Sequence, residues 1–442
     1  MMSKTVDVIF SATVTFHATK NRTRHSRHPF FKNPVSNSPL PGDNAREVNT
    51  MRFHSSVSNH ESSHKAVEHV IQEARKAVNN VDLAFVFFTA DHREEAADIL
   101  EKLWLELDPQ CIVGCSAEGV IGGDVEIERS PGISLLVGQL PNVGIHPFHI
   151  APDDWRLALV GDQPELADRM GIGPMTKAVI GFGDPFSTPL GQLLTTMNDR
   201  IPGVPLIGGM ASSGHGPGEN VLARNDGTFK DGFVGVSLSG PLAIETVVSQ
   251  GCRPIGKPMV VTKAQGNILE AVGGRTPVAA LREIVDAMST ADQLLLRKGL
   301  FLGQAVSEYR DSFGRGDFLV RNLMGADEKS GAVAVNGELR IGQTVQFHLR
   351  DADTADEDLR LMLANDPSKS SPTGGLLFSC NGRGTRMFPE PSHDIRIVRE
   401  IRPATPVAGF FAAGEFGPVG GKNFVHGHTA SFVMFREAKM AE

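Results

Sequence analysis

The chain has 442 residues, 40% hydrophobic and 21% charged, with a formal net charge of −8 and a pI near 6.0. That is the composition of a globular protein with a real core, and it excludes the concentrated basic face of a nucleic-acid binder. Four cysteines in this length do not make a disulfide scaffold, which sets a reducing, cytoplasmic compartment as the expectation, and no apolar run reaches the roughly 18 residues of a membrane span.

Residues 1–50 differ from the rest: HATKNRTRHSRHPFFKNPVSNSPLPGDN is basic, rich in Asn, Pro, Ser and His, and aperiodic. This reads as a disordered extension, with Met51 as a second start. VDVIFSATVTF is short, carries Asp7 and has no clear small-residue cleavage site behind it, so it is a poor match to a signal peptide and none is expected. SSHKAVEHVIQEARKAV (62–78) has apolar residues at helical spacing behind a Ser cap. VDLAFVFFTA (81–90) is a buried strand, DHREEAADILEKLWLEL (91–107) a helix capped by Asp91, and CIVGC (111–115) a strand running into SAEG. A short acidic hairpin leads to the strand PGISLLVGQL (131–140). The order then recurs: strand KAVIGFGD (177–184), helix STPLGQLLTTMNDRI (187–201) with Ser187 as cap, strand VPLIGG (204–209) into MASSG, and strand DGFVGVSLSG (231–240). The two copies lie about 95 residues apart and read as a diverged duplication of a right-handed βαβ unit, whose ligands sit at the carboxyl ends of the strands.

After GNILEAVGG comes an amphipathic helix at 277–289 with Pro277 near its start. Four strands follow, in LFLGQAVSE, FLVRNLMG, GAVAVNG and QTVQFHLRD, and then a helix at 354–366 with an acidic first turn. GGLLFSCNGRG (374–384), PVAGFFAAGEFG (406–417) and HTASFVMF (428–435) again give two strands ending in Gly-rich loops and a third strand. The fold class is therefore α/β, with mixed sheets built from duplicated strand-helix-strand units in two domains, 51–272 and 273–442.

Four loops carry the candidate chemistry: GCSAEG (114–119), GGMASSG (208–214), SCNGRG (379–384) and GEFGPVGG (414–421). Glycine lets backbone N–H groups approach a ligand closely. No phosphate-binding lysine loop, third dinucleotide glycine, H-E-x-x-H or G-x-S-x-G elbow is present. Arg383 and Glu415 are the charges in the two C-terminal loops. They suit a zwitterion, the guanidinium forking onto a carboxylate and Glu415 meeting an ammonium; the alternative is that they pair with each other. Cys380 reads as buried and inert rather than as a nucleophile, which would need a base such as His426 or His428 in reach. Cys111 and Cys115 share one face of a strand and read as core. HGHT (426–429) puts two histidines on one face if extended, which keeps haem as an alternative ligand. DADTADED (351–358) lacks the glycine of a calcium loop and reads as a helix start.

On these loops the sequence resembles the FIST family. IVGCSAEGVIGG and VPLIGGMASSG look like its N-terminal domain; FLVRNLMGAD, LLFSCNGRG and PVAGFFAAGEFGPVGGKNFVHGHTASF look like its C-terminal domain, a match from about residue 65 to 437. The resemblance implies a non-catalytic sensory module for a small polar metabolite such as an amino acid. It makes Cys115, Ser116, Glu118, Ser212, Ser213, Cys380, Asn381, Arg383, Glu415 and His426 the candidate ligand-contacting residues. No catalytic residue, metal or obligatory cofactor is assigned, and neither nucleic acid nor membrane is expected as a partner. No F-box, kinase, cyclase or chemotaxis domain is recognisable, so output is expected to pass through a separate effector protein. A protein-interaction adaptor and a Cys380-dependent enzyme are the remaining alternatives.

Overall fold

The computed structural model describes residues 50–438 apart from 161–164, 298, 310–312, 315, 367 and 369. The reading of residues 1–50 as a disordered extension therefore lies, Thr50 excepted, outside the described residues. The first repeat runs β1 (Arg52–Ser58), α1 (Ser63–Ala77), β2 (Leu83–Thr89), α2 (Ala96–Leu107), β3 (Cys111–Ala117), the hairpin β4 (Gly119–Gly122) and β5 (Val125–Glu128), then β6 (Ile133–Gln139). The second runs β7 (Gly144–Ile150), the short helices α3 (Trp155–Leu159) and α4 (Glu165–Arg169), β8 (Thr176–Gly183), α5 (Leu190–Arg200), β9 (Leu206–Met210), the hairpin β10 (Leu222–Arg224) and β11 (Gly227–Phe229), then β12 (Phe233–Ser239).

A third copy follows, and it is interrupted. After β13 (Leu242–Gln250) the chain makes β14 (Cys252–Gln265), β15 (Ile268–Val272), α6 (Pro277–Asp286), α7 (Thr290–Leu296), β16 (Leu300–Ala305), β17 (Phe318–Ala326), β18 (Val333–Val335) and β19 (Thr344–Arg350). It then resumes with α8 (Ala352–Ala364), β20 (Gly374–Cys380), α9 (His393–Ile401), β21 (Val407–Ala412), the hairpin β22 (Glu415–Val419) and β23 (Lys422–His426), and β24 (Thr429–Glu437). The inserted strands close into a barrel, β14-β15-β18-β17-β16-β19. β14 serves two neighbours by bending at its register shifts, between Ile255 and Met259 and again around Lys263. Residue 272 is the end of β15, inside this barrel.

Among the described residues the other strands form three six-stranded sheets with one topology: β1-β6-β2-β3-β10-β11, β7-β12-β8-β9-β22-β23 and β13-β24-β20-β21-β4-β5. In each, the βαβ pair is parallel: β2 with β3, β8 with β9, β20 with β21. The last two strands of each sheet are a hairpin donated by another repeat. The first repeat gives β4-β5 to the third, the second gives β10-β11 to the first, and the third gives β22-β23 to the second. The three copies are locked together in a cycle, and none completes its own sheet.

The parallel strands are buried on both faces, as covered parallel strands are; β2, β3 and β20 have no exposed residue. On the outer face of the first sheet, α1 lays down Ala66, Val67, Val70, Ile71 and Ala74, one stripe at helical spacing. The inner faces of all three sheets share one core. There Phe87 lies 5.3 Å from Phe182 and 4.9 Å from Phe410, ring centre to ring centre, and Phe378 lies 5.5 Å from Phe410. Such aromatic pairs add about 1 kcal/mol each beyond burial.

One glycine per repeat permits the close approach of the parallel strands. A Cβ on Gly114, Gly208 or Gly409 would lie 1.7, 1.8 and 1.8 Å from the carbonyl oxygens of Val86, Gly181 and Leu377 respectively. Each of the three is followed three residues later by a buried alanine, Ala117, Ala211 or Ala412.

Three local expectations are corrected. Asp91 does not cap a helix: it sits in a 3-10 turn, where it accepts from Thr89 Oγ1 at 2.9 Å, and α2 starts only at Ala96. Ser187 does not cap α5, because its hydroxyl is spent on Asp184 at 2.6 Å and the helix starts behind Pro189. HGHT is not extended: His426 ends β23, and His428 has φ of +60°, which turns the two imidazoles apart. Among the described residues no helix is long and apolar enough to cross a membrane.

Candidate functional site

β3, β9 and β21 each end where the chain leaves its own sheet to build a neighbour's hairpin. The small residues there are consumed in joining these crossings. Ser116 Oγ meets Ser213 Oγ at 2.6 Å and accepts from the Val221 amide at 2.8 Å. Ser213 donates to Asn220 Oδ1 at 3.2 Å, while Ser212 accepts from the Glu118 amide at 2.9 Å and donates to the Phe411 carbonyl. Cys115 lies in the shared core, where burial pushes its thiol well above the ordinary range. Glu118 is at the surface, in an ion pair with Arg386 at 2.9 Å.

The carboxyl ends of the first βαβ strands differ between repeats. At the end of β8, Asp184 is buried and fully partnered: Oδ1 accepts from Asn220 at 3.0 Å, and Oδ2 from Ser187 at 2.6 Å and the Phe186 amide at 3.2 Å. At the end of β20 the groups are left open. Arg383, with 0% of its surface exposed, sends Nε and Nη2 to the buried Asp394 at 2.7 and 2.8 Å, and its Nη1 has no partner. Its face lies over the Phe388 ring, 5.3 Å from the centre. Glu415, also 0% exposed, accepts from Thr429 Oγ1 at 2.8 Å through Oε2, and its Oε1 is unpartnered.

Two further groups at this junction are incomplete. Arg350, the last residue of β19, has Nε and Nη2 shielded from water without a partner. Its guanidinium lies against Gly382, where a Cβ would come within 2.6 Å of Nη2. His428 sends Nε2 to Asn322 Oδ1 at 2.9 Å and keeps Nδ1 buried and unpartnered. Gly251 packs closely between them, since a Cβ there would meet the His428 carbonyl at 2.7 Å and Arg383 Nη1 at 3.1 Å. These groups surround the two points where the chain enters and leaves the barrel, Gly251 and Asp351, whose backbones bond at 3.3 Å.

The electrostatics follow from burial. Burial pulls Arg383 down, but the Asp394 carboxylate more than restores it, so it stays charged. Burial raises Asp394, and the Arg383 and His393 contacts overcome this and hold it well below the carboxylate range. Burial pushes Glu415 up to about 8, although the hydroxyl and amide of Thr429, the charge of Arg383 and its own amide act against it. Arg350 is lowered by burial, with Cys380 and Cys252 acting against this and Arg383 and Arg386 adding to it. Burial also lowers His426 and His428 to about 4, so both imidazoles are neutral near pH 7. With Asn322 Oδ1 accepting a hydrogen bond from His428 Nε2–H, the neutral ring offers a lone pair at Nδ1. The junction therefore holds two cationic donors, one of them without a carboxylate, beside two acceptors, Glu415 Oε1 and His428 Nδ1.

Of the residues singled out in the sequence, Cys380, Arg383 and Glu415 meet here. Cys380 is raised to about 12 by burial and by Glu415, while amides of Gly382 and His428 point at its sulfur. Asn381 follows it, its amide tied to the Ala412 carbonyl at 2.9 Å. His426 packs nearby, with Nε2 unpartnered close to Gly417. Ser116, Ser212, Ser213 and Cys115 belong to the joint between sheets instead. Arg383 and Glu415 do not pair with each other. Arg350, Asp394, Thr429 and Asn322 were not recognised in the sequence; the available signal was a basic residue closing the apolar strand QTVQFHLR, and there was none for Asp394.

A cleft of about 670 Å³ on the barrel wall, lined among others by Lys263, Glu270, Asp327 and Ser330, is a weaker candidate. Its charges are already matched: Lys263 to Glu270 at 2.5 Å and Asp327 to Ser330 at 2.9 Å.

Comparison with known proteins agrees with this architecture. The chain matches the FIST N domain over residues 82–275 and the FIST C domain over 277–418. It is similar to the uncharacterized protein Rv0628c of Mycobacterium tuberculosis, 38% identical over 355 residues, covering 80% of this chain and 91% of that protein. It is also similar to the uncharacterized protein Mb0898c of Mycobacterium bovis, 36% identical over 365 residues, covering 80% and 90%. FIST domains are associated with sensory and signalling roles and are generally non-catalytic. With both of its domains matched in order, the chain belongs to the FIST family.

Proposed function

We propose that the protein is a non-catalytic receptor for a small metabolite carrying both a carboxylate and a protonated amine, a free amino acid being the simplest case. The observation that carries this is the set of unpartnered buried atoms at one junction: Arg383 Nη1, Arg350 Nε and Nη2, Glu415 Oε1 and His428 Nδ1. An unpaired buried charge is costly. A ligand carboxylate matches the guanidinium donors. A ligand ammonium matches the two acceptors, and its charge favours the ionised form of Glu415, whose proton is released to solvent on binding. Cys380, buried and held near 12, lacks the thiolate character of a nucleophile. Haem is less well served: His426 is buried beside Gly417, and His428 has its Nε2 committed to Asn322. A binding module of this kind passes its output to a separate effector protein.

The test is calorimetry and thermal shift of the full chain with free amino acids, with acetate and methylamine as half-ligands and with haem. A ligand specific for the folded state adds about 2.7 kcal/mol at a hundredfold excess over Kd. Stabilisation by an amino acid and by neither half-ligand is expected, with loss of binding in Glu415→Gln. A Soret band with stoichiometric haem uptake, or unchanged amino-acid affinity in Glu415→Gln, refutes the reading.

A further inference from the structure

His428 stands in three relationships at once. Its backbone is left-handed, φ +60°, a conformation that costs a non-glycine residue about 1 kcal/mol or more and persists only where the surroundings enforce it. Its carbonyl accepts from Gly251 at 2.9 Å, at the entrance to the barrel. Its ring packs 4.1 Å from that of Phe301 on β16, and its Nε2 reaches Asn322 on β17 at 2.9 Å. The approach is close on both sides of it: a Cβ on the preceding Gly427 would lie 3.0 Å from the Val320 carbonyl of β17. Nearby, Arg321 donates to the Val425 carbonyl at 2.9 Å, so the barrel wall rests along the turn between β23 and β24. The remaining nitrogen of His428, Nδ1, is buried without a partner, and the charges of Arg350 and Arg383 act on the ring.

We propose that His428 couples occupancy of the junction to the seating of the barrel on the three-sheet body, a role that rests on the receptor reading above. The device is the imidazole tautomer. A ligand N–H that donates to Nδ1 requires the proton to be on Nε2. That is the form that holds Asn322 Oδ1. The other tautomer sets two lone pairs against each other, at Nε2 and Asn322 Oδ1, and loosens β17. Ligand and barrel therefore favour one state of the same ring, the differential contact that a population shift requires. The barrel is joined to the body at both ends beside this residue, through Gly251 and Asp351, so it is the part of the molecule placed to move.

Hydrogen exchange of the full chain tests this in two arms. Without ligand, His428→Ala is expected to speed exchange in β16 and β17 by about tenfold and to leave β2, β8 and β20 unchanged, because local opening reports local stability. With a saturating amino acid, the wild type is expected to gain protection in β16 and β17. Asn322→Ala, which removes only the partner of Nε2 and leaves Nδ1 in place, is expected to bind with affinity within about threefold of wild type and to lose most of that gain. Unchanged barrel exchange in His428→Ala, or full ligand-dependent protection in Asn322→Ala, overturns the coupling while binding stands. Absence of amino-acid binding to the wild type overturns the receptor reading and the coupling with it.

Discussion

Arg383 forks onto Asp394, at 2.7 and 2.8 Å, and leaves its third nitrogen to the junction. The pair is sealed: Asp394 also accepts from Ser379 at 2.7 Å and faces His393 at 3.0 Å, and His393 in turn meets Asp356 at 3.1 Å. Asp394 thus holds the guanidinium in place without using the edge that points inward. In this arrangement Asp394 fixes the direction of Arg383 and Glu415 is kept free of it.

The first prediction follows from that seal. Breaking a buried pair from one side leaves the other charge stranded, at about 3–5 kcal/mol. Asp394→Leu and Arg383→Met should each destabilise the protein by this much in urea unfolding. The double variant should be markedly less damaged than the sum of the two. Additive losses would mean that the two residues contribute independently.

The second prediction concerns pH. Burial holds Glu415 and Glu126 near 8, against an ordinary 4.5. The folded state thus keeps protons that the unfolded chain has lost, and this contribution to stability is full below about 4.5 and lost as pH rises through about 8. His348, His426 and His428 act with the opposite sign. Lowered to about 4 from 6.5, they stabilise above 6.5 and lose that contribution as pH falls through 4. The two sets oppose each other between 4.5 and 6.5, and between 6.5 and 8 the carboxyls act alone among these five groups. Stability should fall over that upper interval, by about 1 kcal/mol per pH unit for each carboxyl. Glu415→Gln should remove roughly half of the slope; an unchanged slope would show that Glu415 is ionised in the fold.

Much of this was legible in the sequence, and the illegible part has physical causes. β2, β3, β8, β9, β20 and β21 announce themselves because parallel strands covered on both faces are continuous apolar runs. The repeat showed itself as two copies rather than three because the barrel interrupts the third between β13 and α8, so no fixed period survives. The hairpin exchange left no trace, since a local hairpin pattern is the same whichever sheet receives it. Glu415 stood out as a lone carboxylate among glycines. The other charges of the junction did not, because Arg350 and Asp394 come from separate elements, and a charge at a strand end or in a first helical turn has ordinary local explanations.

The third prediction separates a receptor from a thiol enzyme. Burial raises Cys111, Cys252 and Cys380 to about 12 and lifts Cys115 well above the ordinary thiol value, and all four are free and buried. Alkylation of the native protein at neutral pH should be slow at every cysteine and should become fast only with unfolding. One thiol labelled stoichiometrically within minutes in the native state would identify a nucleophile and favour catalysis.

The last prediction bears on the threefold design. Gly114, Gly208 and Gly409 occupy equivalent places, each with a neighbouring carbonyl oxygen under 2 Å from where a Cβ would stand. Those oxygens belong to strands packed on both faces, so no side chain can swing away to relieve the overlap. Alanine at any of the three should cost more than about 3 kcal/mol, at the upper end of single substitutions. Gly191 in α5 is the control: nothing lies within 4 Å of its Cβ position. Gly191→Ala should be neutral or stabilising by up to about 1 kcal/mol through helix propensity alone. Urea midpoints of the four variants decide the matter. Equal and large losses at the three sites mean that the cyclic assembly needs all three close approaches. A benign alanine at one of them means that repeat can spread its parallel pair, and with it the hairpin it receives from its neighbour.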